Sequence, residues 1–109
     1  MEKEKKIKIN YITYIKKHYI PSTRIMKKWI FISLMGNVLS QVNIIFVGHQ
    51  RIRTLNKNYL NNDHATNVLT FPDNDKNTSS GDIVLCPKII NQEAKEFGLP
   101  SKLRWAHMI

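Results

Sequence analysis

The sequence predicts an α+β fold, a mixed four-stranded sheet with helices packed on it in the order β-α-β-α-β-β-α-α. Three observations carry this. Short stretches of alternating or continuous apolar residues recur through the chain. Between them lie segments whose apolar residues repeat at helical spacing. Last, two strand-like runs near residues 68–71 and 82–86 follow one another with no helix between them, which breaks a strict βαβ alternation.

The elements follow in order. Residues 6–15 alternate at first, with Ile7, Ile9 and Tyr11 on one face and Lys6, Lys8 and Asn10 on the other, as in an edge strand. Pro21-Ser22-Thr23 is a helix-start signal, and Ile25, Trp29, Ile32, Met35 and Leu39 behind it form an apolar stripe that frays at Gly36-Asn37. Residues 42–47 (VNIIFV) are nearly all apolar, as expected of a strand covered on both faces. Residues 50–60 read as a helix with Ile52, Leu55 and Tyr59 inward and Arg51, Lys57 and Asn58 outward, closed by Asn61-Asn62-Asp63. A strand over 68–71 ends at Pro72, and the uniformly polar run 73–80 is expected to be a mobile loop. The last strand spans 82–86. Pro87 opens a helix through Phe97 that Gly98 stops, and Pro100-Ser101 open a final helix that reaches Ile109 unfinished. Its apolar members Leu103, Trp105 and Ala106 need a face to dock on, because so short a helix is not stable alone.

Composition narrows the class. At 109 residues there is room for a single domain, residues 1–109, with one modest core. Seventeen Lys and Arg against eight Asp and Glu give a net charge of +9. That balance suits a polyanion such as RNA. An abundance of Lys, Asn and Ile also arises from biased base composition without any such selection, so both explanations stand. The lone cysteine, Cys86, excludes an internal disulfide and is expected to be a small buried residue in a reducing cytoplasm. The N-terminus lacks the apolar core of a signal peptide. The uncharged run 29–48 superficially looks like a membrane helix, but Ser33, Gly36, Asn37, Ser40, Gln41 and Asn43 fit two shorter elements better, so no membrane association is expected.

Chemistry-bearing patterns are sparse. His18, His49, His64 and His107 share no i,i+4 spacing and have no ligand partners in sequence, so each reads as a solvated or hydrogen-bonded histidine. There is no G-x-S-x-G and no glycine-rich phosphate loop, and Cys86 has no evident histidine partner. Asp63, Asp73, Asp75 and Asp82 do not pair as an acid and a base.

One stretch is distinctive. Asn56 and Tyr59, then Asp63 with Ala65 to Pro72 (ATNVLTFP), Gly81-Asp82-Ile83, Glu93-Ala94 and Trp105-Ala106-His107 together resemble the YbeY family of metal-dependent endoribonucleases. They fit its L-N-x-x-Y-R, D-x-x-T-[DN]-V-L-[ST]-F-P and G-D-I segments, and the similarity covers roughly residues 42–109. The resemblance implies cleavage of single-stranded RNA with a catalytic zinc during ribosomal RNA maturation, with the small ribosomal subunit as partner and the cytoplasm as location. It leaves oligomeric state open. It also implies that the histidine motif H-G-x-L-H-L-x-G-x-D-H, which leaves a metal position free for water, would begin just after Ile109. The 109 residues themselves are therefore expected to lack the metal-binding part, to bind no zinc and to have little or no nuclease activity. The alternative is a non-catalytic basic RNA- or ribosome-binding remnant. Leu60 stands where the family carries arginine, and leucine has none of the forked donors that grip phosphate. Nearby Lys57 offers only a point charge. By the resemblance, Thr66 and Asn67 line the cleft and offer RNA a hydroxyl and an amide, although satisfying strand and turn backbone is an equal role for them. Asp82 either orients a neighbouring group or caps a turn.

Overall fold

A computed structural model describes residues 8–16, 18–33, 41–72 and 80–109 of the chain. Its elements run β1 (Lys8–Thr13), α1 (Thr23–Ser33), β2 (Gln41–Phe46), α2 (His49–Leu60), β3 (Val68–Pro72), β4 (Ser80–Leu85), α3 (Pro87–Glu96) and α4 (Ser101–Met108). They form an α+β fold in the expected order. The four strands make one open sheet, β1-β2-β4-β3, in which β1, β2 and β4 are parallel and β3 is antiparallel to β4. Only seven residues join β3 to β4, fewer than the dozen or more that a parallel crossover needs, so β3 runs antiparallel to its neighbour.

Side-chain alternation gives the sheet two unlike faces. One face presents Val42, Ile44, Phe46 and Leu85, and onto it pack Met26 and Ile30 of α1, Ile90 of α3 and Trp105 of α4. The other presents Leu69 and Val84, which meet Ile52 of α2 together with Val47 and Cys86. Ile9 and Tyr11 lean on the first core, as their alternation predicts. Ile7 lies outside the described residues.

Three expectations need correction. Among the described side chains of α1 the deepest are Met26 and Ile30, with Ile25 and Trp29 only half-buried, and the side chain of Ile32 lies outside the described residues. The stripe is rotated by one position: α1 meets the sheet core along its 26–30 edge, and Ser22 caps its start, the Oγ accepting from the Ile25 N–H at 3.3 Å. Met35, Leu39, Gly36-Asn37 and the polar run 73–79 are not among the described residues. Strand β2 is not covered equally on both sides: Val42, Ile44 and Phe46 are buried, while Asn43 and Ile45 on the reverse face are half-buried. In α2 the inward strip is Ile52 and Asn56, and Tyr59 is 67% exposed.

Helix ends follow local chemistry. Gly98, at φ +66°, supplies the left-handed residue after α3, so that the Gly98 and Leu99 N–H groups reach the carbonyls of Lys95 (3.2 Å) and Ala94 (2.8 Å). Asn61 does the same after α2 at φ 59°. Helix α4 docks through Trp105, which is fully buried, its ring 6.1 Å from that of Phe46 and its Nε1–H donating to Asn91 Oδ1 at 2.8 Å. Leu103, by contrast, is 43% exposed. Among the described residues no helix is long and apolar enough to cross a membrane.

Candidate functional site

Among the described residues helix α2 covers only part of its sheet face, and the part beside it forms the candidate site. Turning about 100° per residue, the helix sets Arg51, Leu55 and Tyr59 along one strip beside the buried Ile52 and Asn56. That strip walls a cleft of about 360 Å³ whose remaining lining is Tyr14, Ile45, Val47, Phe71, Asp82 and Val84. The floor is aliphatic and the rim is aromatic. Tyr59 stands edge-on to Phe71, with centroids 5.4 Å apart and an interplanar angle of 68°. The Arg51 guanidinium lies 4.9 Å from the centre of the Tyr14 ring, a cation–π contact at the opposite rim. Tyr14 and Tyr59 are 60% and 67% exposed, so both side chains are largely accessible to solvent.

A line of polar side chains crosses the same sheet face. Strand register aligns Asn10, Asn43 and Asp82 on β1, β2 and β4. Asn10 Nδ2 donates to Asn43 Oδ1 at 2.9 Å, and Asn43 Nδ2 donates to Asp82 Oδ1 at 2.8 Å. The carboxylate fixes the direction of the relay, because it can only accept. Phe71 is the register partner of Asp82 on β3, which brings the aromatic rim and the carboxylate together.

The turn that leads to β3 is held from within α2. Asn56, 2% exposed, donates from Nδ2 to the His64 carbonyl at 2.9 Å, while its own carbonyl accepts from the Asn62 N–H at 3.2 Å. A further side chain ties the residue before β3 to α3, and an ion pair ties α3 to α4. Asn67 Nδ2 donates to Glu93 Oε1 at 3.1 Å, and Arg104 pairs with the same oxygen at 3.1 Å. Both members of this ion pair are less than a quarter exposed, and Arg104 also sits 5.1 Å over the Phe97 ring.

The residues singled out in the sequence fall in different places. Asp82 lines the cleft. Asn67 is bound to Glu93, and its carbonyl accepts the Cys86 N–H at 2.9 Å. Thr66 is half-buried in the turn before β3, and Lys57 is exposed on α2; neither is among the cleft-lining residues. Leu60 is 52% exposed. Tyr14, Arg51, Phe71 and the Asn10–Asn43 pair were not indicated by sequence reasoning. The one available signal was Asn43, a polar residue interrupting an otherwise apolar strand.

Cys86 is fully buried and free. Burial pushes its thiol pKa up, against smaller lowering effects of the Ile89 and Lys88 backbone and the Lys88 charge. Burial likewise raises the Tyr11 phenol. The histidines do not converge: His18, His49, His64 and His107 are all exposed, and His64 Nδ1 lies 3.2 Å from the Ala65 carbonyl. Among the described residues no group of three His, Cys, Asp or Glu could hold a metal ion.

Comparison with known proteins gives a consistent result. The family model described as Endoribonuclease YbeY matches residues 3–109. Curated proteins named Endoribonuclease YbeY are similar over most of the chain. The one from Aromatoleum aromaticum is 35% identical over 89 residues, 82% of this chain and 56% of the relative. That from Ralstonia nicotianae is 38% identical over 92 residues, 83% of this chain and 48% of the relative. The chain thus spans about half the length of the curated relatives it matches. The solution structure of TM1509 from Thermotoga maritima shares the fold, with a TM-score of 0.57 at 24% identity, covering 88% of this chain and 63% of that one.

Proposed function

This chain belongs to the Endoribonuclease YbeY family, and from that premise we propose that it serves single-stranded RNA cleavage in ribosomal RNA maturation. The proposed setting is the cytoplasm, and the proposed partner is the small ribosomal subunit. The observation that supports an RNA-binding role is the cleft, where exposed Tyr14 and Tyr59 and the Arg51 guanidinium border an aliphatic floor on a chain of net charge +9. Aromatic faces and a cation suit unpaired bases and phosphates, which double helices do not offer together. Thr66 and Asn67, from the family motif, are further RNA contacts we propose, with Lys57 as a nearby point charge and Asp82 as a cleft residue that orients a neighbouring group.

Zinc is the metal proposed for the family's hydrolysis, where it would activate a water. The described residues do not fit it, since the histidines lie apart on exposed positions and no three ligands converge. No step is derived through the metal. The proposal for residues 1–109 by themselves is RNA binding with little or no cleavage, and Leu60 in the place of the family's arginine favours that reading.

The test is fluorescence anisotropy of a labelled single-stranded ribosomal RNA fragment over a salt series, with parallel gels containing zinc, magnesium or manganese. Binding should weaken with a log–log slope of about −0.7 per phosphate contacted. Absent or salt-insensitive binding would overturn the RNA reading. Metal-dependent cleavage by these 109 residues would overturn the binding-only reading.

A further inference from the structure

We propose that the cleft beside α2 is a base-reading pocket that selects an unpaired guanine, an inference resting on the RNA-binding reading above. The cleft is about 360 Å³, at the small end of the ~300–1,000 Å³ usual for ligand pockets, and its size suits one nucleoside rather than a longer segment. Ile45, Val47, Leu55 and Val84 give it an apolar lining for a flat ring. Tyr59 and Tyr14 supply stacking faces at the rim, where both are mostly exposed.

Charge decides which part of a nucleotide goes where. Asp82 lines the cleft as a carboxylate and repels phosphate, whereas Arg51 at the rim attracts it. The sugar–phosphate backbone therefore runs past Arg51, and the Watson–Crick edge of the base points to Asp82. One oxygen of Asp82 accepts from Asn43, and among the described residues Oδ2 has no partner. Each carboxylate oxygen has two lone pairs, so the group can still take two parallel donors. Guanine alone among the four bases carries two adjacent donors on that edge, N1–H and the N2 amino group. Adenine and cytosine offer one amino group beside an acceptor, and uracil offers one N–H between two carbonyls. The relay from Asn10 through Asn43 pins the carboxylate to the sheet, so the pair of acceptors is held before any base arrives.

The experiment is a competition assay on the 109-residue protein with the pentanucleotides UUGUU, UUIUU, UUAUU and UUUUU, where inosine (I) is guanosine without its N2 amino group. UUGUU should bind about tenfold more tightly than the other three, the discrimination expected of a good bidentate contact. Asp82→Asn should erase the difference between UUGUU and UUIUU, and Tyr59→Ala should weaken all four by about tenfold through lost stacking. Equal affinities for UUGUU and UUIUU on the unmodified protein would overturn the proposal while leaving RNA binding intact. Failure to bind any pentanucleotide or the longer RNA would overturn both. A solution dimer that Tyr59→Ala dissociates would assign the cleft to a second copy of the chain and overturn it as well.

Discussion

Replacing Trp105 by alanine tests whether α4 is a working part of the fold. The indole is fully buried against Phe46, and its N–H is bonded to Asn91. Aromatic side chains of this size bury about 150–250 Å², which at roughly 25 cal/mol per Å² corresponds to about 4–6 kcal/mol. Measured Trp→Ala substitutions in cores cost about 3–5 kcal/mol, since the surroundings relax partly into the cavity. The Asn91 acceptor is also released, but Asn91 is only half-buried and water can reach it, so this adds at most about 1 kcal/mol. Domains of this size are stable by about 5–15 kcal/mol, so the variant should lose roughly a fifth or more of its stability. Trp105→Phe keeps most of the ring and loses the N–H, and should cost about 1–2 kcal/mol. Urea unfolding followed by far-UV circular dichroism measures both, because fluorescence would lose one of its two tryptophans. A Trp105→Ala variant within about 1 kcal/mol of the parent would refute the docking of α4. Equal losses in the two variants would mean that the hydrogen bond, rather than burial, holds the helix.

Three further outcomes are expected. Asn43→Ala breaks the relay on both sides, leaving an Asn10 donor and an Asp82 oxygen unpaired in a part-buried setting, and should lower stability by about 1–2 kcal/mol in the same urea assay. Glu93→Gln removes the charge shared by Asn67 and Arg104, and should cost about 1–2 kcal/mol, less at high salt; a cost independent of salt would point to packing instead. For Cys86 the sign follows from burial: its folded pKa is raised, so stability is fully kept below the pKa of an unfolded thiol and falls as pH rises through the folded value. Thiol-reagent kinetics at mildly alkaline pH should accordingly be slower than for a free cysteine, and fast modification of the folded chain would contradict the buried placement.

The sequence by itself determined the element order, the mixed sheet and the family. Strand alternation at Ile9 and Tyr11, the Pro87 start and Gly98 stop of α3, and the ATNVLTFP segment are local signals, and local chemistry fixes them whatever surrounds them. The tertiary structure alone decided which face each amphipathic element turns inward. Helical spacing grouped Tyr59 with Ile52 and Leu55, but α2 sits over only part of the sheet, so the strip ending at Tyr59 reaches the rim and Asn56 goes inside. Register did the same for the polar line: Asn10, Asn43 and Asp82 are 33 and 39 residues apart along the chain, and no periodicity connects them. A cleft is where covering elements stop short, and that depends on how helices of given lengths fit a sheet of given width. Sequence patterns record what each segment prefers, and the gap between segments belongs to the assembled fold.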